Sequence, residues 1–138
     1  MALVAEAWLL LAAASLACRF IGFLHLARCA QSRSEGHAEA GAAEADALAR
    51  AIVAAARRSP WRTACIEQGL AAWWMLLRRR KRAAMYYGAR LDPGGELAAH
   101  VWVLSGAVDV IGCEELETYG VLARFPPAAA YAPTTSDL

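Results

Sequence analysis

The chain has 138 residues, 59% of them hydrophobic, which suits one buried core and is too little for two full domains. Lys and Arg number 14 against 13 Asp and Glu, a formal net charge of +1, so the charge balance selects no nucleic acid or other charged partner. The 4 cysteines, Cys18, Cys29, Cys65 and Cys113, show neither a C-x-x-C pair nor metal-ligand spacing, which argues against a zinc site and a disulfide framework.

The amino-terminal stretch opens with an apolar run over residues 7–18, too short to span a bilayer. Glu6 stands where a signal peptide would carry basic residues. Apolar character resumes after Arg19 with Phe20, Ile21, Phe23, Leu24 and Leu26, so residues 2 to about 31 read as one long, largely buried helix. Peripheral membrane contact is the alternative. On such a helix Cys18 and Cys29 would lie roughly 16 Å apart and could not bridge, so a reducing cytoplasm is the simplest location. Residues 31–41 read as a polar loop, and His25 and His37, with no partner at ligand spacing, as structural or solvated.

Residues 42–58 carry Leu48, Ile52 and Ala55 at helical spacing, with Glu44 and Asp46 early and Arg57-Arg58 late. That charge order suits the helix dipole and predicts a second helix. Ser59-Pro60 ends it, because proline lacks an amide donor and disfavours helical geometry in its predecessor. A third helix follows, with Thr63 as N-cap and Glu67 in the opening turn. Ile66, Leu70, Trp73 and Leu77 recur at i, i+4, i+7 and i+11, so one stripe faces the core. Cys65 falls one residue before that stripe, at the positive end of the dipole. Unpaired amides there favour an anionic sulfur, the form a nucleophilic cysteine needs. The competing reading of Cys65 is a small buried hydrophobe.

The third helix closes on Arg78-Arg79-Arg80-Lys81-Arg82. Cations suit a helix carboxyl end. No aromatic-basic pattern accompanies them, so nucleic acid is not expected and an acidic stretch on a protein partner is the better use. The period then changes. Residues 83–90 read as a strand, Asp92-Pro93-Gly94-Gly95 as a turn, 97–104 as a second strand, Ser105-Gly106 as a turn, 108–111 as a third strand and 121–125 as a fourth. Helices first and antiparallel strands after define an α+β class. The expected organisation is a single domain over 1–138: a helical part over 1–60, a core over 61–126 and a tail over 127–138.

His100 falls on the second strand and Asp109 on the third. A thiol needs a base to take its proton and to protonate the leaving amine, and a carboxylate fixes the base's tautomer. Register decides whether Asp109 serves. With a two-residue turn at Ser105-Gly106, Leu104 pairs with Ala107 and Trp102 faces Asp109, a diagonal neighbour of His100. A three-residue turn reverses the face. Glu114 and Glu115 are the fallback acids. No metal or cofactor is called for.

Flanking residues carry a resemblance. Cys65-Ile66-Glu67-Gln68-Gly69-Leu70-Ala71-Ala72, Met75-Leu76-Leu77-Arg78-Arg79-Arg80, Tyr86-Tyr87-Gly88-Ala89, Ala99-His100-Val101-Trp102-Val103, Asp109-Val110-Ile111-Gly112 and Leu122-Ala123-Arg124-Phe125-Pro126 together resemble the transglutaminase-like proteins of lasso-peptide biosynthesis, in their stand-alone leader-peptidase form. The resemblance runs from about Trp61 to Pro126. It implies a transglutaminase-like, papain-like cysteine protease core with Cys65, His100 and Asp109 as catalytic residues. Many relatives place an acid where this chain has Gly112, and others have the D-V-I-G form of residues 109–112. The implied activity removes the leader from a ribosomally made precursor peptide, freeing the core amine for an ATP-dependent macrolactam synthetase. A small leader-binding protein is the implied delivery partner. A catalytically silent scaffold that presents the precursor, and acyl transfer to an amine, are the competing readings.

Overall fold

Helix α1 (Ala2–Phe20) turns Ala7, Leu11 and Ala14 inward, at the i, i+4, i+7 spacing of one helical face. The helix ends at Phe20, short of the end near residue 31 that the sequence suggested, and most of residues 23–31 lie outside the described residues. The Ile21 amide closes the last turn on the Ala17 carbonyl at 2.8 Å, and Gly22 takes φ +86°, a left-handed conformation that stops a helix. At 19 residues α1 is nevertheless long and apolar enough to cross a membrane by length and composition, longer than the sequence run suggested. Leu9, Leu16 and Phe20 on its outer side are exposed. The computed structural model describes residues 1–22, 25 and 37–125. Readings that fall elsewhere, among them Cys29, most of the 31–41 loop and the 127–138 tail, lie outside the described residues.

Helix α2 (Ala42–Arg58) forms where the sequence placed it and buries Ala45, Leu48, Ala51, Ile52 and Ala55. Glu44 in its first turn and Arg57 and Arg58 in its last complement the helix dipole. Helix α3 (Cys65–Arg78) starts one residue later than a Thr63 cap would allow. Ala64 is the N-cap, and its amide donates to the Glu67 carboxylate, which takes over the capping that Ala64 cannot supply. Thr63 instead accepts a 3.4 Å hydrogen bond from Gln68. The inward face of α3 is broader than one stripe, taking in Gly69, Leu70, Ala71, Ala72, Trp73, Met75 and Leu76.

Past Arg78 the cations turn back onto the protein. Arg79 makes paired hydrogen bonds of 2.9 and 2.7 Å to Glu6, with Arg78 at 3.2 Å from the same carboxylate. Lys81 pairs with Glu44 at 3.6 Å and Arg82 with Glu39 at 4.0 Å. Intramolecular acids thus take up most of the basic run that the sequence assigned to a partner.

Four antiparallel strands follow: β1 (Ala84–Leu91), β2 (Leu97–Ser105), β3 (Val108–Ile111) and β4 (Gly120–Phe125), in the order β3-β2-β1-β4. The turn between β1 and β2 is closed by the Gly95 amide on the Asp92 carbonyl at 2.8 Å. Met85, Val101, Val103 and Phe125 on one face of the sheet join Leu11, Leu48, Ile52, Leu70, Trp73 and Leu76 of the helices in a single core. The class is α+β, as the order of elements required.

Candidate active site

Cys65 is the first residue of α3. Its side chain is half-buried and packs against the core beside Ile66. Upstream, Trp61 lies against Trp8 of α1 with ring centroids 5.3 Å apart, which anchors the entry into the helix. One turn further on, Gly69 brings α3 hard against β2: a Cβ there would stand 2.6 Å from Val101 Cγ1. The carboxyl end of α3 lies by the far end of β2, since the Arg82 amide bonds to Ala38 and the Ala40 amide to Ser105 Oγ. Stepping back from Gly69 to Cys65, roughly 6 Å of helical rise, therefore leads towards the His100 end of β2.

His100 and Val101 take opposite faces of the strand. Val101, Val103 and Ser105 are buried towards the helices, whereas His100 shares its face with Trp102 and Tyr86, whose rings stack at 5.5 Å. Gly88 sits opposite His100 and is required by that stack, because a Cβ would meet Trp102 at 2.8 Å. The imidazole lies 5.1 Å from the Tyr119 ring and 6.1 Å from that of Trp102. Its Nε2 is 2.7 Å from the Gly112 carbonyl oxygen. A carbonyl only accepts, so Nε2 carries the hydrogen, and in the neutral ring Nδ1 is bare. Among the described residues no hydrogen bond joins Cys65 to His100. His100 lies on the sheet face opposite the one that α3 packs against.

Asp109 does not take the expected register. The turn is Gly106-Ala107, with Ser105 paired to Val108 and Leu104 to Asp109, two positions beyond the predicted Trp102 pairing. Gly106 at φ +60° suits the first position of this two-residue turn. Asp109 is exposed and stands four strand positions from His100, roughly 13 Å along β2. Of the fallback acids, Glu114 is exposed and Glu115 pairs with Arg90 at 3.3 Å.

The Gly112 position was noted as the one where many relatives place an acid, but its carbonyl as the partner of His100 was not anticipated, nor was Tyr119. The available signal for Gly112 was its spacing of twelve residues after His100. Tyr119 gave none, being placed by the short 3₁₀ turn Leu116–Thr118 that Arg90 ties down through a 3.0 Å hydrogen bond to Thr118.

The thiols of the other described cysteines are both held towards the protonated form. Burial, with the nearby charges of Asp109 and Glu114, pushes the Cys113 thiol up to about 11. Burial and the charge of Glu67 raise Cys18. Beside the start of α3 a cavity of about 620 Å³ opens between α1 and α3, walled by Ala12, Leu16, Cys18 and Trp61 with Arg62 and Glu67 at its edge. Among the described residues no cluster of three or more His, Cys, Asp or Glu could hold a metal ion.

A cysteine opening a buried helix beside a histidine-bearing antiparallel strand defines an α+β thiol-bearing fold. A family model described as the transglutaminase-like superfamily matches residues 8–124, and the chain belongs to that superfamily. The match takes in most of α1 and all of α2 as well as the stretch from Trp61 to Arg124. Neither the curated proteins nor the solved structures compared with the chain gave a match.

Proposed function

We propose that the chain is a cysteine peptidase that removes the leader from a lasso-peptide precursor in the cytoplasm. A small leader-binding protein would deliver the precursor, and an ATP-dependent synthetase would close the macrolactam on the freed amine. What supports the reading is the transglutaminase-like superfamily match together with Cys65 at the start of α3 and His100 on β2, the strand that α3 packs against through Gly69 and Val101. In the reaction the His100 imidazole takes the thiol proton, and sulfur attacks the scissile carbonyl. The imidazolium then gives its proton to the departing core amine, leaving a thioester on Cys65. Water, deprotonated by the same imidazole, releases the leader as a carboxylate and restores the thiol. The cavity between α1 and the start of α3, walled by Ala12, Leu16, Cys18 and Trp61, is apolar enough to take a leader side chain. This chemistry requires the His100 imidazole and the Cys65 thiol to come within hydrogen-bond reach in the precursor complex.

The test is cleavage of precursor in the presence of the leader-binding protein, followed by mass spectrometry. Cys65→Ala and His100→Ala are each expected to abolish leader removal while circular dichroism stays parental. Undiminished cleavage by either variant would end the peptidase reading. One observation favours a second reading, a silent scaffold that presents the precursor: His100 occupies the sheet face opposite the Gly69–Val101 contact. On that reading the parental chain binds precursor and cleaves nothing.

A further inference from the structure

We infer that the backbone carbonyl of Gly112, with no carboxylate involved, orients His100 and leaves Nδ1 as the basic nitrogen. The inference rests on the reading of His100 as the catalytic base. Four features support it. First, the 2.7 Å contact from Nε2 to the Gly112 oxygen requires an N–H at that nitrogen, which selects one tautomer of the neutral ring.

Second, the backbone is built for that contact. Val103 pairs with Ile111 while Leu104 pairs with Asp109, so Val110 is an extra residue, a bulge that bends the end of β3 across β2. Gly112 then takes φ +73° and packs so closely that a Cβ would fall 2.7 Å from the Val101 oxygen and 3.3 Å from His100 Nε2. Only glycine fits without displacing the carbonyl.

Third, the acids are elsewhere: Asp109 stands opposite Leu104, Glu114 is exposed and Glu115 is held by Arg90. Fourth, the contact is sheltered. Tyr119 lies over the imidazole at 5.1 Å, and the Arg90 guanidinium, 4.8 Å from the Tyr119 ring centroid, holds that ring in place. The hydrogen bond is part-buried, and partial exclusion of water strengthens it. Gly112 is therefore a positioning residue, supplying orientation without the negative charge that a carboxylate would add to an imidazolium.

The tautomer is read by nitrogen-15 NMR of histidine-labelled full-length chain, roughly two units above the ordinary imidazole pKa of about 6.5. The His100 signals are expected to show a protonated Nε2 and a bare Nδ1. Signals showing Nδ1 protonated would overturn the inference. In the precursor assay Asp109→Asn and Glu114→Gln are expected to retain kcat within about twofold, and a tenfold loss in either would overturn it too. Gly112→Ala should lower kcat about 10- to 100-fold with KM changed by less than about twofold, as a misplaced base does. Parental kcat in a folded Gly112→Ala would refute the positioning role. If that variant fails to fold, the tautomer of the parental chain still decides. Absence of cleavage by the parental chain would remove the peptidase reading, whereas the NMR result bears on the Gly112 contact alone.

Discussion

The described cysteines sit in three environments, and their chemistry should diverge accordingly. Cys113 is held by the carbonyls of Val103 and Ile111 at 3.5 and 3.4 Å, and burial beside Asp109 keeps its thiol protonated. Cys18 faces the Glu67 carboxylate across the α1–α3 cavity and is raised by burial and by that charge. Cys65 is the half-buried first residue of α3, with neither the carbonyl contacts that hold Cys113 nor the Glu67 charge that bears on Cys18. Reaction rate with an alkylator follows the thiolate fraction and access. Iodoacetamide near pH 7 should therefore label Cys65 at least about tenfold faster than Cys18 or Cys113, as read by peptide mass spectrometry. Equal labelling of all three would remove the case for an activated thiol.

At the scale of elements, the contact that sets the site is α3 on β2, made through Gly69. Replacing it with alanine would add helix propensity worth about 1 kcal/mol, but its Cβ would press on Val101 at 2.6 Å. Overpacking of this kind costs about 1–3 kcal/mol, so Gly69→Ala should destabilise. Val101→Ala should relieve the clash, and the double variant in urea unfolding should show coupling of about 1 kcal/mol or more. Additive costs would place the helix further from the strand than described. Much of this layer was legible in the sequence. The second helix and the strand positions followed from period and turn residues, because the 3.6 and 2.0 repeats are local properties. The β2–β3 register was not. It turned on whether Ser105-Gly106 or Gly106-Ala107 formed the turn, and on a bulge at Val110 that no local preference announces. That two-position slip removed Asp109 from the histidine and put the Gly112 carbonyl there. The early end of α1 at Gly22 was missed because apolar residues continue past it.

For the whole molecule, the amino-terminal helix is closed onto the end of α3 by Glu6 and Arg79, residues 73 positions apart in sequence. The paired hydrogen bonds from Arg79, against a smaller opposing cost of burial, hold the Glu6 carboxyl below its usual range. Because its folded pKa is depressed, the pair stabilises the fold fully above the unfolded carboxylate value of about 4.3. That stabilisation is lost as pH falls through the lower folded value. Hydrogen bonds to charged groups contribute about 1.5–3 kcal/mol when buried. Partial exposure of both side chains reduces the expectation here to about 1–2 kcal/mol. Glu6→Gln should therefore unfold at lower urea than the parental chain near pH 7, and the difference should shrink progressively as pH is lowered to about 3. If α1 instead left the helical layer to enter a bilayer, Arg79 would lose this partner. Glu6→Gln would then cost nothing at either pH, and the stability measured near pH 7 would match that of Arg79→Gln and of the parental chain alike.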